Sequence, residues 1–204
     1  MDPDLLKQVN RLWRKIYPYL ASQIMERYQR DSGAVLELGP FSGGISVEIA
    51  RRHPGLDIII ADESSQVLEG FKEEIRAEGL SGVIDIRKSV FNPLVFENSE
   101  FDLMISRGVF FFLDEEGDFL REIFRVLKEG GMAFVGGGYG KDTPPSLINE
   151  IADESRELND RLGRMRVRIE ELEKIITRSG LDNHCKIVEE GGLWVVIDKK
   201  KFQY

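Results

Sequence analysis

The amino-acid sequence predicts an α/β protein with a mostly parallel sheet, an antiparallel last strand and helices ahead of the first strand. Three observations point there. From Ala34 to about Gly137, apolar runs of strand length alternate with longer stretches whose apolar residues recur at helical spacing, as repeated strand-helix-strand units require. Glycines and polar residues fill the turns between them. Near the end, residues 184–190 (HCKIVEE) and 193–200 (LWVVIDKK) flank Gly191-Gly192, a two-residue turn suited to a tight hairpin.

Taken in order, Leu5, Val9, Leu12, Trp13, Ile16, Leu20, Ile24 and Tyr28 fall at helical spacing. Residues 4–30 therefore read as one or two amphipathic helices, with Pro18 as the place for a bend. The strand 34–38 (AVLEL) leads to a helix ending near His53. The strand 56–61 (LDIIIA) leads to a helix over 64–78, and the strand 83–87 (VIDIR) passes through a loop to 101–106 (FDLMIS). A helix over 114–128 is expected to stop at Gly130 and Gly131, before a fifth strand at 132–137 (MAFVGG). Pro144 and Pro145 then open a charged helical stretch over 146–179 that Gly163 can break. The compositional seam near residue 32 separates an N-terminal helical cap, residues 1–32, from the sheet domain, residues 33–204.

The 204 residues suffice for one ordinary core, and 42% hydrophobic with 31% charged residues describes a folded globular chain. No apolar run approaches the roughly 20 residues that cross a bilayer, and residues 1–13 lack the apolar block of a secretory leader. The expectation is a cytoplasmic protein with no membrane partner. A single cysteine, Cys185, cannot make an internal disulfide, and with His53 and His184 as the only histidines no Cys/His metal centre is expected. The net charge of −8 opposes broad nucleic-acid binding, so the expected partner is a small molecule. A homodimer stays open.

The most informative segment is VLELGPFSGGISVEIA, in which a buried strand turns through Gly39, Pro40, Phe41, Ser42, Gly43 and Gly44 into a helix and so brings bare backbone beside a ligand. A dinucleotide site wants GxGxxG, but Phe41 occupies the middle position. Glu37 beside the loop repels a pyrophosphate and attracts a cation. Asp62, at the end of the second strand, has the position from which a carboxylate accepts both hydroxyls of a ribose.

Glu-x-Gly followed by an acid ending the next strand resembles the class I S-adenosylmethionine-dependent methyltransferases, and so do FDLMISRGVFFFL and REIFRVLKEGGMAFVGG. The likeness covers roughly residues 33–138. It implies a three-layer, Rossmann-like methyltransferase sandwich with a seven-stranded sheet, S-adenosyl-L-methionine as cofactor, and methyl transfer to a small acceptor by in-line displacement. Residue by residue, it implies Glu37 and Gly39 near the methionine moiety, with Pro40 and Phe41 as loop wall. Asp62 matches the ribose-binding acid, and Glu63 the neighbour lying against the adenine. Ser106 and Arg107 match residues that line the cofactor and face the substrate. After the third strand the family commonly carries Gly-Asp-Ala, whose acid bonds the adenine amino group. Lys88, Ser89 and Val90 stand here instead, leaving Ser89 as a weaker acceptor.

Other readings of the same residues compete. Glu37 or Asp62 could serve a helix N-terminus, and Phe110, Phe111 and Phe112 suit core or pocket wall. His53 fits a helix end, Cys185 a buried apolar position, and the arginines from Arg156 to Arg168 a solvated face with ion pairs. No catalytic base is identified. The sequence lacks the Asp-Pro-Pro-Tyr device of amino methylation after the fourth strand, a GxSxG elbow and a P-loop. Trp13 and Tyr17, with the segment from Tyr139 through the charged helix, are candidates for a lid selecting an apolar or aromatic acceptor. A cofactor-binding sensor or partner subunit without catalysis is the alternative, and a nicotinamide oxidoreductase is disfavoured by Glu37 and Phe41.

Overall fold

A computed structural model describes residues 3–39, 43–111, 113–163 and 167–200. The chain opens with helices α1 (Pro3–Trp13) and α2 (Tyr17–Tyr28). The break falls at residues 14–16, not at Pro18, which lies in the first turn of α2. There its missing N–H has no helical partner to lose and its fixed φ favours the helix start.

Strand β1 (Gly33–Leu38) leads to α3 (Gly44–Arg52), β2 (Leu56–Asp62) to α4 (Ser65–Ala77), and β3 (Ile84–Lys88) through a loop to β4 (Phe101–Arg107). Ser64 caps α4, its side chain accepting the Val67 N–H. A short 3-10 turn, Val109–Phe111, follows β4. Helix α5 (Asp118–Val126), strand β5 (Leu127–Gly138), helices α6 (Pro145–Arg161) and α7 (Ile169–Ser179), and strands β6 (Cys185–Val188) and β7 (Gly192–Asp198) complete the chain.

The α5–β5 region departs from expectation in two ways. Residue 114 lies outside the helix; the Asp114 carboxylate accepts the N–H groups of Asp118 and Phe119 at 2.8 and 2.9 Å, capping α5 from the preceding loop. Nor do Gly130 and Gly131 stop the helix. Leu127 already pairs with Phe101, and the register then jumps to Leu103 opposite Met132, so the residues between bulge out of the ladder. Gly130, at φ 73°, supplies the left-handed backbone this bulge needs. The Lys199 ammonium ties the junction together, donating to the carbonyls of Phe124 and Leu127 at 2.9 and 2.5 Å.

The seven strands lie in the order β3-β2-β1-β4-β5-β7-β6, with β7 antiparallel to both neighbours and the remaining pairings parallel. Strand order reverses between β1 and β4, where such sheets open a crevice at their carboxyl ends. Successive strand residues point to opposite faces. Leu103 and Ile105 join a core with α1, α2, α3, α4 and α6, whereas Met104 joins a second core with α5 and α7. This is the expected three-layer, seven-stranded sandwich. Each fully buried Leu or Ile contributes about 1.5–3 kcal/mol by leaving water. No described helix is long and apolar enough to cross a membrane.

Candidate functional site

The carboxyl ends of β1, β2, β3 and β4 gather most of the residues singled out in the sequence. Glu37 is fully buried on β1, where Oε2 accepts the Ser46 N–H at 2.8 Å, in the first turn of α3. Its other oxygen, Oε1, is buried with no hydrogen-bond partner among the described residues. Burial raises the Glu37 pKa, and the Ser46 hydroxyl, the main-chain N–H groups of Ser46 and Gly43 and the Arg107 charge act against that rise. Gly39 follows β1 at φ 115°, a backbone conformation glycine adopts without strain, and its N–H donates to the Ala61 carbonyl at 3.0 Å. Pro40 and Phe41 lie outside the described residues.

Asp62, 2% exposed at the end of β2, repeats the arrangement of Glu37. Oδ1 accepts the Ser64 N–H at 2.7 Å, and Oδ2 is buried without a partner among the described residues. Burial pushes its carboxyl up to about 6, against the Ser64 N–H, which lowers it, and with Glu63, whose charge raises it further. Two acids at adjacent strand ends thus each place one oxygen on a main-chain N–H and bury the other without a partner among the described residues.

Glu63 is exposed beside them. Ser89 is buried but engaged in its own loop: its hydroxyl donates to the Val90 carbonyl at 2.8 Å and accepts the Val95 N–H at 3.3 Å. Val90 is half exposed at 45%. Ser106, fully buried, donates to the Leu38 carbonyl at 2.9 Å, tying the ends of β4 and β1 together. The guanidinium of Arg107 lies 3.8 Å from the centre of the Trp13 ring and 5.5 Å from that of Tyr17.

Helices α1 and α2 reach this region through Trp13 and Tyr17. Tyr17 lies so close to Gly44 that a β-carbon there would stand 2.0 Å from the ring, so the first residue of α3 must be glycine. Trp13 stacks on Tyr139 with ring centres 4.9 Å apart and planes at 14°. A cavity of about 410 Å³ lies between α1 and α4, with Tyr17, Gly44, Gln66 and Phe71 in its wall. The sequence had no signal for Ser46, whose contribution is a main-chain N–H, nor for the tyrosine that dictates Gly44.

The remaining candidates serve the scaffold. His53 caps α3 and its ring meets Asp31 at 2.8 Å. Burial pushes the Cys185 thiol up to about 12, leaving it un-ionised at neutral pH. Arg156 pairs with Asp153 and Arg168 with Glu171 one helical turn away.

Such a sheet, with its strand order reversing between β1 and β4, is a doubly wound α/β sandwich, and a family model described as a methyltransferase domain matches residues 36–135. The chain belongs to the class I S-adenosylmethionine-dependent methyltransferase family. A protein of Methanococcus maripaludis, provisionally described as a methyltransferase dependent on that cofactor, superposes on 100% of this chain and 95% of its own. The TM-score is 0.83 and the sequence identity 26%. A ubiquinone/menaquinone biosynthesis C-methyltransferase of Geotalea daltonii is 26% identical over 129 residues, 62% of this chain and 52% of the relative. A sarcosine/dimethylglycine N-methyltransferase of Halorhodospira halochloris is 26% identical over 120 residues, 58% of this chain and 43% of the relative. The chain thus spans about half the length of the curated relatives it matches.

Proposed function

We propose that this chain binds S-adenosylmethionine across the carboxyl ends of β1 and β2 and transfers its methyl group to a small apolar or aromatic acceptor. The observation that carries the reading is a pair of buried carboxylate oxygens, Asp62 Oδ2 and Glu37 Oε1, without a hydrogen-bond partner among the described residues. A buried acceptor without a donor costs roughly 1–3 kcal/mol, a cost that a bound ligand's donors would remove. Asp62 is positioned to accept ribose hydroxyls, and Glu37 to face the cationic methionine end. Gly39 keeps the backbone between them free of a side chain, with Pro40 and Phe41 beside it. Glu63 and Val90 would flank the adenine. Ser89 contributes through the fold of its loop, since its hydroxyl is already engaged. Ser106 and Arg107 would border the methyl-bearing end.

Once bound, the cofactor supplies a methyl carbon on a positively charged sulfur, open to in-line displacement by an acceptor's electron pair while the electrons of the breaking bond stay on sulfur. The chain's own task is then to align the acceptor and exclude water, which requires no side-chain base. Residues 1–32 would act as the cap that does so, because Trp13 and Tyr17 bring α1 and α2 onto Arg107 and Gly44.

Isothermal titration with S-adenosylmethionine, S-adenosylhomocysteine and NAD tests the reading. Micromolar affinity for the first two and none for the third is expected, followed by methylated product when acceptors are screened. Cofactor binding with no turnover on any acceptor would favour the sensor reading. No binding by a folded protein would remove both.

A further inference from the structure

Strand register brings three charged residues to one face of the sheet. Leu38 pairs with Ala61 across β1 and β2, and Glu37 pairs with Ile105 across β1 and β4. Continued to the strand ends, this register sets Asp62 and Arg107 level with Gly39, one on either side of it. The alternation of side chains turns Glu37, Asp62 and Arg107 to the same face as Ile60 and Ile105, the face covered by α1, α2, α3 and α4. With neighbouring strands about 4.8 Å apart, the main chains of Asp62 and Arg107 stand roughly 10 Å apart across the glycine.

Arg107 is held there as a permanent cation. A guanidinium stays protonated at any pH a folded protein meets. The residue is 4% exposed, and the Trp13 ring 3.8 Å away and the Tyr17 ring 5.5 Å away hold its head group in place. Aromatic faces attract a cation without neutralising it. Burial keeps solvent ions from screening the charge, and its field crosses to β1, where it acts on the Glu37 carboxyl.

On the methyltransferase reading above, on which this inference rests, the ribose lies at Asp62 and the sulfur follows it across Gly39 toward β4. S-adenosylmethionine and S-adenosylhomocysteine share their adenosine and amino-acid ends, so Asp62 and Glu37 serve both alike. They differ by one methyl group and one positive charge, both at sulfur. We propose that Arg107 discriminates between the two by charge, disfavouring the sulfonium and favouring the neutral thioether, so that the site holds the product more tightly than the cofactor. The same field favours transfer: as the methyl group passes to the acceptor, the electron pair of the breaking carbon–sulfur bond stays on sulfur and the charge facing Arg107 disappears. Trp13 and Tyr17 are then positioning residues, acting through the guanidinium they hold.

The test is isothermal titration of the whole chain with S-adenosylmethionine, S-adenosylhomocysteine and sinefungin, which carries an amine where the cofactor carries its sulfonium methyl. Wild type should bind S-adenosylhomocysteine at least about tenfold tighter than either cationic ligand. Arg107→Met removes the charge and keeps a long side chain on Trp13; it should tighten S-adenosylmethionine and shrink the ratio to about twofold or less. Arg107→Gln gives the same readout should the methionine variant fold poorly, and Arg107→Lys, which keeps the charge, should keep most of the ratio. A residue that served only the fold would weaken all three ligands together and leave their ratio unchanged. Equal affinity for the cofactor and its product in wild type, an unchanged ratio in a folded uncharged variant, or a ratio lost in Arg107→Lys overturns the proposal while the methyltransferase reading stands. Failure of all three ligands to bind folded wild type overturns that reading and this inference with it.

Discussion

Asp62 holds one oxygen on the Ser64 N–H and leaves the other bare, so replacing it should cost ligand affinity more than it costs the fold. Charge-assisted bonds to hydroxyls contribute about 1.5–3 kcal/mol each, so Asp62→Ala should weaken S-adenosylmethionine by more than about tenfold in a titration calorimeter. Because its carboxyl is pushed up to about 6, affinity should also climb from pH 5 to pH 7 as the acceptor form fills, and Asp62→Asn should lose that climb. Stability of the unliganded chain should move the other way. Between about pH 4, where an unfolded aspartate ionises, and about pH 6, the native state holds more protons, so stability falls as pH rises through that window. Urea titrations of wild type and Asp62→Asn across it would check the sign. The placement of Glu37, Gly39 and Asp62 at strand ends was legible because each lies within a residue of the end of an apolar run that only a buried strand explains. The engagement of Ser89 within its own loop and the stacking of Arg107 on Trp13 were not, since both depend on segments distant in sequence folding back together.

Element boundaries followed the sequence where one local signal acted and departed from it where tertiary pairing intervened. Ser64 and Gly163 mark the start of α4 and the break after α6 as their chemistry suggests. Pro18 marks a start rather than a bend, because proline is as welcome in a first turn as it is costly later. The helix before β5 is shorter than its amphipathic pattern at both ends: Asp114 caps it from outside, and Leu127 is captured by Phe101. Asp114→Ala should therefore cost about 1 kcal/mol of folding free energy, and Asp114→Asn much less, as read from denaturant midpoints at constant slope.

For the molecule as a whole, the alternation along β1 and β4 divides the apolar residues between two faces, and the N-terminal helices share their core with α3, α4 and α6. Their seam at residue 32 is visible in composition but not in packing. A ligand that binds only this folded state stabilises it by about 2.7 kcal/mol at a hundred times its dissociation constant. For a chain of this size that corresponds to a rise in Tm of roughly 5–10 °C with S-adenosylhomocysteine, measurable by calorimetry and absent with NAD. The strand order also dictates a sequence of events during synthesis. β6 leaves the ribosome before β7 yet touches the sheet only through it, so its main-chain groups must wait, hydrogen-bonded to water, until β7 docks on β5. Until β7 pairs with it, the flank of β5 offers unpaired main-chain N–H and C=O groups, the edge at which a strand of another chain could add.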